Sequence, residues 1–135
     1  MSIISIRAAL ETKLNGITPA ISIAWENVPF TPVAGTPYAQ IYLMPASPDN
    51  PTLGDGFYRE RGILQISLMY PLQAGPLTAE TKAEAIRTAF KRGTTMTSGS
   101  VTVVVDRTPE IGQGRVDGDR WAVPVRVRYS AGILI

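Results

Sequence analysis

A chain of 135 residues, 44% apolar and 18% charged, is long enough to bury about two thirds of its unfolded surface around one core and too apolar to stay disordered. Its formal net charge of +2, with every one of the thirteen bases but Lys13, Lys82 and Lys91 an Arg, lacks the concentrated basic face of most nucleic-acid binders. The absence of Cys and His excludes disulfides, thiolate nucleophiles, Ser-His-Asp triads and ordinary zinc sites.

The first segment spaces Ile3, Ile6, Leu10, Leu14 and Ile17 three and four residues apart, with Arg7, Glu11 and Lys13 off that stripe. The spacing predicts an amphipathic helix with Ser2 as N-cap and Gly16 as C-terminal stop. Residues 1–7 have no basic leader and Glu11 follows soon after, so no signal peptide is expected and assembly in the cytosol is the default. Ile21–Trp25 alternates as a short strand, and the Pro-rich stretch 29–37 reads as an extended connection. Tyr38–Met44 is a strand closed by Pro45, Pro48 and Pro51, and Gly62–Tyr70 is its hairpin partner, with 45–56 between them. In the linking stretch, Pro51, Gly54 and Gly56 read as the turn of a long arm. Tyr58–Arg61 read as the root of the next strand, and Gly62 as a candidate bulge. The uncharged run from Gly62 to Ala79 contains Pro71, Gly75 and Pro76, which argues against a bilayer helix.

From Thr78 to Arg92 the period becomes helical, with Ala79, Ala83, Ile86 and Phe90 on one side and Glu80, Lys82, Glu84, Arg87 and Lys91 on a solvated side. Thr78 is the expected cap and Gly93 the stop. Ser100–Asp106 and Arg120–Tyr129 complete the strands, and Pro124 predicts that the last one is an edge strand or carries a bulge. The order α-β-β-β-α-β-β implies an α+β fold, a two-layer sandwich whose mostly antiparallel sheet of about five strands carries both helices on one face. The whole of 1–135 reads as one domain.

Chemistry-bearing patterns are few. Asp117-Gly118-Asp119 is the only tight acidic pair, and Asp-Gly is also the commonest hairpin signal; the turn is the favoured reading. Gly54-Asp55-Gly56 and Gly112-Gln113-Gly114 lack the Lys and following helix, or the third glycine, of phosphate-binding loops. No enzyme activity, cofactor or metal is expected. Arg59 with Arg61, and Arg126 with Arg128, each share a strand face. Such stripes suit either a phosphate backbone or carboxylates of a neighbouring subunit, and Glu60 within the first stripe favours the second. A sheet covered by helices on one side would expose Ile63, Met69, Ala122 and Val104 among Gln65, Ser67, Thr102 and the Arg pair, a mixture typical of subunit interfaces. Interface candidates are therefore Asp55, Phe57, Tyr58, Arg59, Glu60, Arg61, Arg115, Asp117, Asp119, Arg126 and Arg128, with loops 26–37, 45–56 and 107–118 as contact arms.

Three phrases, ITPAISIAWENVPFTP, NPTLGDGFYRERG and DGDRWAVPVRVRYSAGI, resemble a family of small phage and prophage tail proteins grouped with the tail terminators of lambda-type, long-tailed phages. The resemblance runs from the first helix to the last strand. It implies a homo-oligomeric ring, usually a hexamer, that caps the tail tube, halts its polymerisation and joins it to the head. The implied partners are further copies of the chain, the major tail tube protein and a head-completion or connector protein, with no membrane and nucleic acid only passing through the ring lumen. The implied place is the tail-neck region of the virion, and other neck proteins of the same size and plain chemistry are the alternative.

Overall fold

The computed structural model describes residues 2–17, 21–54, 56–73 and 75–134, with the side chain of Ser2 excepted. The expected cap at Ser2 and the candidate at Asp55 lie outside what is described. In chain order the elements are α1 (Ser2–Asn15), β1 (Ser22–Ala24), β2 (Tyr38–Pro45), β3 (Phe57–Pro71), α2 (Leu77–Ala89), β4 (Thr95–Ser98), β5 (Val101–Val105), β6 (Glu110–Ile111), β7 (Arg115–Asp117) and β8 (Arg120–Leu134). The fold is α+β, as the element order predicts. Among the described residues the sheet has eight strands rather than about five, and it is mixed because β1 pairs parallel to β2.

The strand order is β1-β2-β3-β8-β5-β4, with β6 and β7 also on β8. β3 and β8 pair antiparallel along their whole lengths, from Phe57 opposite Leu134 to Pro71 opposite Arg120. On its other edge β8 meets β7, β6 and β5 in turn. The expected connection 107–118 therefore carries two short strands, β6 and β7. Two tight hairpins explain the short elements: Gly99 (φ 61) turns β4 into β5, and Gly118 (φ 59) turns β7 into β8. The Asp117-Gly118-Asp119 stretch is thus a hairpin turn.

Pro124 does not lie on an edge. A residue's N–H and C=O in an antiparallel ladder point to the same neighbour. The Pro124 carbonyl accepts from the Gly112 N–H at 2.8 Å, so its missing donor faces the gap between β6 and β7. The ladder breaks where the proline has nothing to give. Gly62 is not a bulge in the ladder with β8, whose register runs through it unbroken; toward β2 it is the last paired residue, opposite Pro45, and the next bridge, Asp49 with Arg59, is shifted by one residue. A Cβ there would lie 2.6 Å from the Met44 carbonyl and 2.6 Å from Tyr129 Oη, so only glycine lets the tyrosine ring cross its cross-strand partner.

Both helices pack on one face of the sheet. Ile6, Leu10 and Leu14 of α1, with Ile17 beyond it, and Ala79, Ala83 and Ile86 of α2 join Ile41, Leu64, Ile66, Leu68, Val125, Val127 and Tyr129 in one core. Ile3 remains 37% exposed, so the buried stripe of α1 begins at Ile6. Thr78 is not the cap of α2, whose N-cap is Pro76 without a side-chain bond. Lys82, expected on the solvated side, is buried at 6% exposure, and burial pushes its ammonium pKa down. It stands three residues from Ala79 and four from Ile86, on the apolar face of the helix, where its methylene stem packs.

These constraints predict opposite outcomes for the same substitution at two glycines. Gly62→Ala should cost about 1–3 kcal/mol of unfolding free energy. Gly56→Ala, with nothing within 4 Å of the new methyl, should stay within about 0.5 kcal/mol of wild type in urea denaturation.

Candidate functional site

The face of the sheet away from the helices is uncovered. Alternation and register place Gln40, Tyr42 and Met44 of β2 beside Ile63, Gln65, Ser67 and Met69 of β3, and these beside Ala122, Pro124, Arg126 and Arg128 of β8. The mixture of apolar and polar side chains matches the sequence expectation, except that Met69 and Ala122, expected to be exposed, are buried. A small second cluster of Tyr38, Met69 and Ala122, with Ala24 against it, is buried on this face.

Arg120 explains that burial. It is 4% exposed, and its guanidinium donates to the carbonyls of Thr36 at 2.5 Å and Val33 at 2.7 Å. The same group lies 5.0 Å above the Tyr38 ring, which in turn meets Phe30 at 5.0 Å between ring centroids. One arginine thus ties the irregular segment 26–37 to the edge of the uncovered face by satisfying carbonyls that have no sheet partner. A second tie is Glu26, whose carboxylate accepts from the Leu43 N–H at 3.1 Å and from Arg7 at 3.0 Å. The Leu43 N–H, and then the Arg7 guanidinium, hold the Glu26 pKa below the usual carboxylate value of 4.5. Sequence reasoning missed both residues. The one available signal for Arg120 is parity, which puts it on the face of Ala122 and Met69, beside small neighbours that leave room for the segment.

The candidates from the sequence fall into two groups. Arg59, Glu60 and Arg61 lie on the first turns of β3, opposite the end of β8. Arg59 faces Asp49 at 3.5 Å, and the two backbones exchange hydrogen bonds of 2.8 Å. Arg61 donates to the Ser47 carbonyl at 3.3 Å. Both therefore pin the start of the 46–56 connection. Glu60 points to the helix side, where its charge and burial push the Tyr129 hydroxyl up to about 12, burial being the larger cause. Phe57 packs against Gly132 on the uncovered face, and Tyr58 alternates to the other side.

The second group surrounds a groove of about 350 Å³ on the uncovered face, lined by Gln65, Ser67, Gln113, Arg115, Asp117 and Arg126 among others. Arg128 lies beside it and forks onto Glu110 Oε1 at 3.2 and 3.0 Å. Asp119 sits in the Gly118 turn and does not line the groove. The groove owes its rim to close packing: a Cβ on Gly112 would lie 2.7 Å from Pro124 Cγ, and one on Gly114 would lie 2.4 Å from the Trp121 ring. Among the described residues no group of three Asp or Glu side chains converges on a point that would hold a metal ion. No helix among them is long and apolar enough to cross a membrane; the uncharged run 62–79 is β3, a turn and the start of α2.

A family model described as phage tail terminator protein matches residues 5–129 of the chain. A solved structure whose name states no function is 32% identical over 97% of this chain and 96% of its own, with a TM-score of 0.79. No curated protein matches.

The Glu26 geometry has a pH signature. Its lowered pKa means that its stabilising contribution is full above the unfolded value near 4.5 and disappears as pH falls through the folded value. The stability gap between wild type and Glu26→Gln, measured by urea unfolding, should favour wild type at pH 7 and shrink steadily below pH 4.5.

Proposed function

The chain belongs to the phage tail terminator family, and from that premise we propose that it ends the tail tube, closing a ring of copies on the last tube layer. The family gives the chain a structural role in the phage tail. Under this reading the ring, of six copies as the sequence resemblance implies, blocks addition of further tube subunits and offers the head its joining surface. The chain acts as one domain, assembles in the host cytoplasm, works at the tail neck and performs no catalysis. Its partners are its own copies, the tube protein and a head-completion or connector protein, and DNA meets it only in the lumen.

The observation that carries the reading is the uncovered sheet face, a half-buried mosaic flanked by two anchored arms. A closed ring needs a heterologous contact, in which one surface meets a different surface of the next copy. A large mixed face on one side and a protruding connection on another supply two unlike surfaces. The competing nucleic-acid reading loses support, because three of the four arginines in the two stripes are held by Asp49, Ser47 and Glu110 within the chain.

The test is assembly with tail tubes. Purified protein at high concentration should give ring-shaped particles in negative stain, and tubes polymerised with it should stop at defined lengths with capped ends. A protein that stays monomeric and leaves the tube-length distribution unchanged would overturn the proposal.

A further inference from the structure

Of the four arginines in the two strand stripes, Arg59, Arg61, Arg126 and Arg128, Arg126 is the exception. It is half-buried, and its guanidinium has neither an ion pair nor a hydrogen bond among the described residues. A guanidinium partly withdrawn from water and left without a partner favours an anion supplied from outside. The same groove is lined by Arg115, by one carboxylate, Asp117, by the amides of Gln40, Gln65 and Gln113 and by the Ser67 hydroxyl; two cations against one acid, among groups able to donate, suit an incoming carboxylate. Beside the groove, Tyr42 and Met44 are 42% and 41% exposed and form an apolar shelf.

We propose that this groove receives the β2–β3 connection, residues 46–56, of a second copy of the chain, an occupant that rests on the ring reading above. The connection complements the groove in chemistry. It carries aspartates and no Lys or Arg, and its Leu53 is fully exposed at 103%. Leu53 covers the Tyr42 and Met44 shelf, and since Asp49 is paired with Arg59, the arm's other aspartate, two residues beyond Leu53 in sequence, supplies the carboxylate for the Arg126 fork.

A chain cannot fill its own groove. The Ala46 N–H donates to the Arg61 carbonyl and Asp49 bridges Arg59, so the arm runs along β3 toward its N-terminal end. Arg126 stands opposite Gln65, and the strand from Arg59 to Gln65 covers about 20 Å in the other direction. The tip and the groove diverge, so the contact is head-to-tail, which is the geometry a ring requires.

Native mass spectrometry of the full chain tests the proposal, with circular dichroism confirming that each variant is folded. Wild type should assemble, while Arg126→Glu and Leu53→Ser should each weaken self-association by about tenfold or more. Arg126→Gln, which keeps an N–H donor and removes the charge, repeats the test without reversing sign. An equimolar mixture of Arg126→Glu and Leu53→Ser should stop at one-to-one dimers, because each pair retains one intact arm and one intact groove. Variants that assemble like wild type would overturn this contact and leave the ring reading standing. A wild type that never assembles would overturn the ring reading itself. Variants that form rings but fail to cap tubes would assign the groove to the tube protein, and DNA binding lost in Arg126→Glu would assign it to phosphate; either result overturns the second-copy occupant.

Discussion

The fifteen-residue ladder between β3 and β8 is the constraint on which the rest of the molecule depends. Both strands turn one face to the helices, and alternation passes the same parity to β2 and β5. A slip of one residue would send Arg126 and Arg128 into the core and Val125 and Val127 into water. The register is therefore held by the full burial difference of four strands. The ring of Tyr129 over Gly62 adds a steric lock, since the two face each other across the ladder and only a residue without a side chain leaves room. That lock has a cost, because the Tyr129 hydroxyl is buried without a hydrogen-bond partner among the described residues.

The other edge of β8 shows how a proline can sit inside a sheet. Its missing N–H falls where β6 ends and β7 has not begun, so the break in the partner strands and the proline are one feature seen from two sides. The chain that loops out there, Gly112–Gly114, lies close over Pro124 and Trp121 and forms a wall of the groove. A few rungs further along, Arg120 holds the 26–37 segment at the opposite margin. Residues 120–126 of one strand thus arrange the floor, one wall and one neighbouring arm of the candidate site.

Much of this was legible in the sequence, and the failures have physical causes. Strict alternation over Leu64–Tyr70 and Trp121–Tyr129 specified the core face and its uncovered opposite, because each position depends only on its neighbours' parity. Helix positions were legible for the same reason, although Lys82 was assigned by charge when its spacing from Ala79 and Ile86 placed it on the buried side. What periodicity cannot carry is the partner of a strand. Whether Pro124 lies at an edge or opposite a gap, and whether β1 runs parallel to β2, depend on pairings between residues distant in the chain. The short strands β4, β6 and β7 have too few residues to show a period at all. Arg120 was invisible because its hydrogen-bond partners are main-chain groups, which every residue possesses, and Glu26 because one partner is the Leu43 N–H and the other, Arg7, is nineteen residues away in the chain.

The charges on the uncovered face also bear on what kind of surface it is. Phosphate backbones are bound by cations whose hydration is easily exchanged and whose neighbours do not neutralise them. Here the arginines near the ends of the strands are used internally, two anchoring the 46–56 connection and one bracing β6 against β8 through Glu110. Among the described residues the face consequently presents two available cations, Arg115 and Arg126, amid amides, hydroxyls and scattered apolar side chains. Such a surface is polar enough to remain in water on a separate subunit and directional enough to select a shaped partner once one is present. Under the proposed role of closing a finished tube the chain needs both properties, and a more apolar face would forfeit the first.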